Sequence, residues 1–414
     1  MDEGSTKIKI ELPDDVRFIL DTIRHAGYEA CVVGGCVRDS LLGKEPEDWD
    51  ITTSALPLQI KSLFKNTVDT GIKHGTVMVI RSKRGYEVTT YRIDGEYIDG
   101  RHPESVEFTP VLGEDLKRRD FTINALAYDP EGGIVDLFGG IPDLENGIIR
   151  AVGDPCKRFE EDALRIMRAV RFSAQLSFDI EENTRAAISQ FAPNLKMVSA
   201  ERKRVELEKT ICSDNPAHVC EYRKLGLSEY IVPDVWERCF GEGSAAVMEA
   251  ADDADPDKKK LIRLAAFFME LGPEECAHVM RKMTFDNRSR DLVSGILRFR
   301  SGSPETQGGL EPDAPGIRKL LVKTGRELFE LILAFREACG EDMSAVRGVY
   351  EQVIRQGDAF SITMLDIKGD DLIEAGIPKG RQVGETLNML LDKVVEDPEL
   401  NKKETLLMIA RGEL

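Results

Sequence analysis

Residues 31–55 read CVVGGCVRDSLLGKEPEDWDITTSA, and the rest of the chain is organised around this stretch. The apolar run Cys31-Val32-Val33 fits a short buried strand. Gly34 and Gly35 follow, where the backbone must turn so tightly that a Cβ would obstruct it. A helix is expected next, with Arg38 and Asp39 in its first turn and with Gly43 and Pro46 ending it. A glycine turn at a helix start leaves backbone N–H groups free for an anion such as phosphate. The pattern then predicts a second strand beginning at Asp48-Trp49-Asp50-Ile51. Alternate strand residues share a face, so Asp48 and Asp50 are expected to project together. Two adjacent carboxylates repel unless a cation lies between them, and Mg2+ is the usual hard ion for oxygen ligands beside phosphates. The stretch reads as a phosphate cradle facing a metal-binding carboxylate pair.

Either half alone is common, as an ordinary turn or as solvated surface; the combination is far more specific. It resembles the class II tRNA nucleotidyltransferases and bacterial poly(A) polymerases of the polymerase β-like superfamily. Their GGxVRDxLLG…DxDxxTSA signature is matched by Gly34, Gly35, Val37, Arg38, Asp39, Leu41, Leu42, Gly43, Asp48, Asp50, Thr53, Ser54 and Ala55. The resemblance implies an α+β fold: a nucleotidyltransferase head with a mixed sheet over residues 1–140, followed by a helical neck (141–206), body (207–330) and tail (331–414).

At 414 residues, about two to four domains are expected, and 42% hydrophobic residues supply ample core material. No run approaches the length of a membrane-spanning helix, and the start MDEGSTKIKIELPDD has no signal-peptide pattern. The eight cysteines are scattered with no CxxC, which suits reduced thiols in the cytoplasm rather than a disulfide frame or a zinc site. A net charge of −18 argues superficially against a nucleic-acid partner. Basic residues nevertheless cluster at 117–119, 157–171 and 202–204, while acidic ones gather at 251–256 and 305–313. A basic cleft on an acidic body is compatible with RNA binding.

Along the chain, Val16, Ile19, Leu20 and Ile23 recur at helical spacing and Gly27 closes a helix over 14–27; Leu58 to Phe64 suggests another. A hairpin follows, Thr76–Ile80 and Tyr86–Tyr91 about a turn at 81–85. Alternation puts Glu87, Thr89 and Tyr91 on one face, and the resemblance makes Glu87 the candidate third catalytic carboxylate beside Asp48 and Asp50. Residues 93–112 are polar, with two Gly and Pro103, and read as a loop. In the family this segment helps the pocket switch from CTP to ATP, which argues against an enzyme that adds only C.

The next motif, RRDFTINALAYD from Arg118 to Asp129, matches the family almost letter for letter. Arg118 and Arg119 offer planar donors for phosphate or ribose. Asp120 can accept from a ribose hydroxyl, and it competes with Glu87 for the third carboxylate role. Asn124 joins the nucleotide-binding set implied by this motif. Residues 158–172, RFEEDALRIMRAVRF, read as one helix with Arg165, Arg168 and Arg171 three apart, all assigned to nucleotide binding. Asp162 and Arg165 would then share a face. A carboxylate accepts and a guanidinium donates, so the pair suits the amino donor and ring acceptor shared by cytosine and adenine and rejects uracil and guanine. From spacing alone it would be a surface ion pair worth a few tenths of a kcal/mol. The resemblance makes EDxxR (Glu161, Asp162, Arg165) the nucleotide-selecting motif, buttressed by Glu201, Arg202 and Arg204 on the next helix.

Residues 206–350 are helical with weak motifs; two helices are expected in 272–300 and a linker over 301–316. Residues 367–384 place glycines at a helix–turn–helix suited to a phosphate backbone, and they resemble the family's tRNA-gripping segment, with Lys379 standing where a Pro–Gly pair is usual. The expected function is untemplated addition of CMP, CMP and AMP to a tRNA 3′ end. Partners are tRNA, CTP and ATP, with Mg2+ on Asp48 and Asp50; neither a membrane nor an obligatory protein partner is evident. An A-adding enzyme of a split pair shares every motif. A poly(A) polymerase is disfavoured by the acidic C-terminus without an Arg-rich tail. A catalytically silent RNA-binding module is disfavoured by the intact DxD, RRD and EDxxR.

Overall fold

The helical spacing over residues 14–27 forms α1, Asp14–His25, with acidic residues in its first turn and basic ones in its last, as the helix dipole favours. Its apolar face, Val16, Ile19, Leu20 and Ile23, is wholly buried. The computed structural model describes residues 9–95, 106–233, 235–251, 255–300 and 310–413. Residues 96–105 of the expected loop, 252–254 of an acidic run and 301–309 of the expected linker therefore lie outside the described residues. The chain forms two compact units, Met1–Trp236 and Glu237–Leu414.

The first unit is built on a sheet. Its strands are β1 Ala30–Val33, β2 Ile51–Thr53, β3 Thr67–Gly71, β4 Thr76–Arg81 and β5 Arg84–Thr90, the short pair β6 Arg92–Asp94 and β7 Val106–Phe108, and then β8 Leu126–Asp129 and β9 Gly133–Asp136. Seven of them form one sheet in the order β3-β4-β5-β2-β1-β8-β9. Only β2 with β5 is parallel; β1 pairs antiparallel with both β2 and β8, which makes the sheet mixed. Helices α2 Gly35–Leu41 and α3 Pro57–Leu63 join α1 against it. Their packing closes a core of Ile19, Leu20, Val32, Ile51, Val77 and Val88 with their neighbours.

Three details differ from expectation. The strand carrying the DxD begins at Ile51, so Asp48 and Asp50 lie in the extended segment that enters it. The hairpin turn is only Ser82-Lys83, both at positive φ (47° and 64°), a tight two-residue form that lengthens both strands. RRDFTINALAYD, for which no secondary structure was expected, crosses a single 3-10 turn, Thr122–Asn124, into β8, which lies between β1 and the edge strand β9. Edge strand β3, a polar run of residues, was not expected at all.

Helices α4 Leu112–Lys117, α5 Gly140–Glu145, α6 Pro155–Glu161, α7 Leu164–Leu176, α8 Glu182–Phe191 and α9 Ala200–Ile211 complete the frame around the site. The expected single helix over 158–172 is two, because the chain leaves helical geometry at Asp162 (φ −142°, ψ 103°). Two short parallel strands, β10 Ile148–Ile149 and β11 Asp179–Ile180, pin the start of this helical region.

The second unit is helical among its described residues. Pro273–Lys282 and Asn287–Arg298 are the two helices expected in 272–300. The segment Ala314–Ala338 is broken at Gly325, whose φ of 70° and ψ of 171° only glycine adopts easily. Buried Arg318 ties that segment to the end of Arg381–Glu396, donating to the Val395 carbonyl at 2.6 Å and to Asp358 at 2.7 Å. The expected helix–turn–helix is present as Gly369–Glu374 and Arg381–Glu396.

Candidate active site

The pairing of β1 with β2 and of β2 with β5 determines where the site lies. Gly34 turns out of β1 at φ +83°, and its N–H donates to the Leu126 carbonyl of β8 at 3.0 Å. The Val33 N–H donates to the Asp50 carbonyl at 3.0 Å, which sets the glycine turn beside the acidic segment. In the parallel pair, Ile51 faces Val88, so one step back brings Asp50 abreast of Glu87. Tyr86 and Val88 are buried, which leaves Glu87 exposed on the opposite face of β5.

The three carboxylates act on one another. Burial raises the Asp50 carboxyl above its ordinary value; the Arg119 guanidinium opposes that shift and the Asp48 charge adds to it. Glu87 is raised too, first by partial desolvation of its carboxyl, although the residue as a whole is exposed, and then by Asp50 and Asp48. Among the described residues, no salt bridge or side-chain hydrogen bond reaches the carboxylate oxygens of Asp48, Asp50 or Glu87; the Cys36 thiol reaches only the Asp50 carbonyl. Nor do three His, Cys, Asp or Glu side chains among them close around one point. An open carboxylate pair with no ion-pair partner, only partly offset by Arg119, fits Mg2+, which takes one or two protein carboxylates and completes its shell with phosphate oxygens and water. A closed protein cage is absent from the described residues, and Mg2+ does not need one.

Around the glycine turn lies a row of guanidinium groups. A Cβ on Gly34 would come within 2.9 Å of Arg119 Nη1, so that side chain packs directly on the turn. Buried Arg38 donates through Nε to Asp39 Oδ1 at 2.8 Å and through Nη1 to Asn124 Oδ1 at 2.6 Å. Asn124 Nδ2 in turn donates to Asp120 Oδ1 at 3.1 Å, and Arg168 Nε donates to Asp120 Oδ2 at 2.7 Å. The Phe121 N–H also donates to Asp120, at 2.8 Å. Burial alone would raise the Asp120 carboxyl, but Arg168, Asn124 and Arg165 together hold it well below its ordinary range. Both its oxygens are engaged within the protein, and its place is a link from the glycine turn to α7, apart from the Asp48, Asp50 and Glu87 group.

The EDxxR residues are brought close to that link in an unexpected way. Asp162 caps the break between α6 and α7, accepting from the Leu164 N–H at 3.0 Å and from Arg202 Nη2 at 2.8 Å. Arg165 donates to Glu161 at 2.6 Å and to the Arg118 carbonyl at 2.8 Å. Asp162 and Arg165 thus do not share a helix face, and each is held by its own partner. Arg204 pairs with Glu208. Arg171 donates to Glu206 at 2.6 Å, and the guanidinium groups of Arg38, Arg168 and Arg171 all lie within 5.2 Å of the Phe172 ring centre.

A cavity of about 550 Å3 opens at this place, lined by Gly35, Arg38, Asp48, Asp50, Arg171 and Lys209 with their neighbours. Its lining includes the acidic pair together with Arg38, Arg171 and Lys209; Glu87, Asp162 and Arg165 lie outside that lining. Phe172, as the common platform of three arginines, was missed from the sequence because an aromatic at helical spacing reads as core. Asp115, buried beneath Arg118 and Arg119, was also missed, although its i,i+3 and i,i+4 spacing to them is a legible signal.

The mixed-sheet head with a glycine turn facing two carboxylates, continued by helices, is the architecture of polymerase β-like nucleotidyltransferases. Residues 30–150 match the model of the Poly A polymerase head domain, and residues 177–239 match that of the probable RNA and SrmB- binding site of polymerase A. The CCA-adding enzyme of Leuconostoc mesenteroides is 38% identical over 404 residues, 96% of each chain. That of Ligilactobacillus salivarius is 37% identical over 417 residues, 97% of each. The crystal structure of the Bacillus stearothermophilus CCA-adding enzyme in complex with CTP superposes with a TM-score of 0.80 at 33% identity, covering 97% of this chain and 98% of that one. The chain belongs to the CCA-adding enzymes of the class II tRNA nucleotidyltransferase family.

Proposed function

We propose that this chain completes the 3′ end of tRNA by two-metal nucleotidyl transfer, with Asp48 and Asp50 as metal ligands and Glu87 assisting. The chain is a tRNA nucleotidyltransferase that uses CTP and ATP and adds CMP, CMP and AMP. The observation that carries the site assignment is the Asp48, Asp50 and Glu87 group, without ion-pair partners, beside the Gly34 turn. Mg2+ held there supplies acidity to the primer 3′-hydroxyl and neutralises charge on the triphosphate. The new bond joins the 3′-oxygen to the α-phosphorus, the bond to pyrophosphate breaks, and the hydroxyl proton leaves to solvent. Backbone N–H groups after Gly34 and Gly35, with the Arg119 guanidinium, orient the phosphates. Arg38, Asn124, Asp120 and Arg168 form the brace that fixes this turn against α7, while Arg118 presents its carbonyl to Arg165.

Asp162 and Arg165 select the base, and the adjoining cation Arg171 lines the cavity that receives the nucleotide. In the present state their hydrogen-bonding edges are held by Arg202 and Glu161, so reading a base requires those partners to yield or to share. The division into head, neck, body and tail at 140, 206 and 330 is kept as the reading of how these roles are distributed, with the tail gripping tRNA. Eight cysteines, none of them in a disulfide among the described residues, suit a reducing compartment, and we assign the protein to the cytoplasm. No described helix is long and apolar enough to cross a membrane.

The test supplies three tRNA transcripts, ending at the discriminator base, at C and at CC, with CTP and ATP singly and together. Completion to CCA on all three is expected. Adenylation of the CC-ending transcript alone would reassign the chain as A-adding, and long A tails on an unrelated RNA would make it a poly(A) polymerase. Activity should also depend on pH in a definite direction. Because Asp50 and Glu87 hold their protons to higher pH than ordinary carboxylates, protons compete with the metal there. The acid limb of the rate profile is therefore expected to move to lower pH as Mg2+ is raised. An acid limb that ignores Mg2+ would contradict metal binding at these residues.

A further inference from the structure

Asp115 opens the motif that contains Arg118 and Arg119, yet the reaction as described gives it no task. It sits on α4 with no exposed surface. Its Oδ1 accepts from Arg118, at 3.1 Å from Nε and 2.7 Å from Nη2. Its Oδ2 lies 3.6 Å from Arg119 Nη2 and 3.3 Å from the Thr52 hydroxyl, whose single proton it shares with the Thr89 carbonyl at 3.2 Å. Thr52 is on β2, two residues beyond Asp50, so this carboxylate is tied to the strand that the acidic segment enters.

The consequence falls on Arg119. Its guanidinium rests against the Gly34 turn, and its Nε is buried without a hydrogen-bond partner among the described residues. A fork with unspent donors, aimed at a turn that binds phosphate, needs something to hold its angle. We propose that Asp115 is a positioning residue for nucleotidyl transfer, dividing its two oxygens between Arg118 and Arg119 so that the Arg119 guanidinium is fixed relative to both Gly34 and Asp50. This rests on the reading of Arg119 as a phosphate-orienting group. Were Asp115 only a neutraliser of buried charge, Arg118 alone would satisfy it; its second oxygen is shared between Arg119 and the catalytic strand. Removing one member of such a buried set leaves the other charges without compensation, so the effect reaches beyond a surface ion pair.

A double-mutant cycle on the full chain tests this, measuring kcat and KM for CTP with a tRNA ending at the discriminator base. Asp115→Asn is expected to lower kcat/KM by about tenfold or more, chiefly through KM, and Arg119→Ala by a similar or larger factor. In the Arg119→Ala background, Asp115→Asn should add less than about twofold, because its target is gone. Losses that multiply independently would overturn the role of Asp115 while leaving Arg119 in place. Wild-type kinetics in Arg119→Ala would overturn both the inference and the reading of Arg119 beneath it. If Asp115→Asn does not fold, Thr52→Val removes the strand anchor at constant shape. The same cycle then expects a loss of about threefold that vanishes without Arg119, and a persisting loss overturns the proposal.

Discussion

Asp50→Asn is expected to reduce CMP and AMP incorporation by roughly a thousandfold or more, the scale of losing charge stabilisation in the transition state. Asp48→Ala should do the same. The informative half of this result is stability. A carboxyl whose folded pKa is raised contributes stability only at pH below its ordinary value, and that contribution is lost as pH rises through the folded value. Asp50 and Glu87 are both raised, by desolvation first, so at neutral pH their ionised forms cost the fold stability. Neutralising Asp50 should therefore leave the thermal transition unchanged or raise it when no metal is added. Activity and stability move in opposite directions, as expected of a group kept for chemistry. A variant that lost activity together with several degrees of Tm would instead make Asp50 a structural residue.

Arg165→Ala is expected to damage choice more than rate. A site built to hydrogen-bond one edge rejects analogues lacking it by large factors, and UTP and GTP present the inverted edge to this pair. Incorporation of U relative to C, in direct competition on a tRNA ending at the discriminator base, should rise by roughly a hundredfold. The fold should tolerate the change, because Glu161 keeps its pairing with Arg158 when Arg165 is gone. A uniform fall in rate with discrimination preserved would mean that Arg165 only braces Glu161 and the Arg118 carbonyl.

What could be read from the sequence, and what could not, follows the range of the interactions. Glycine turn, helix and acid pair all lie within 25 consecutive residues, so local chemistry announces them. The parallel pairing of β2 with β5 brings Asp50 abreast of Glu87 across 37 residues, a register that the alternation in either strand alone does not specify. Two local readings were changed by the fold. Residues 158–172 have helical periodicity throughout, yet Asp162 leaves the helix because Arg202, 40 residues on, holds its carboxylate. Asp48 and Asp50 alternate as strand residues do, but their segment has not yet entered the ladder. In the first case a tertiary partner overrode the local pattern; in the second the strand pairing, which starts at Ile51 opposite Val32, set where the strand begins.

The arginines show the same division. Their number was evident, but their assignment to phosphate, base or brace was not, because that depends on which carboxylate each one meets. Arg168 is occupied by Asp120 and Arg171 by Glu206, while Arg119 keeps an unpaired Nε beside the glycine turn.

The central claim is that the Gly34 turn and the Asp48–Asp50 pair together hold a nucleotide and its metal. Crystals of the full chain soaked with CTP and Mn2+, examined by anomalous scattering, test it most directly. The account predicts a metal peak within coordinating distance of both Asp48 and Asp50, with the triphosphate on the N–H groups after Gly34 and against Arg119. A triphosphate bound elsewhere, or a metal held by other carboxylates, would contradict it.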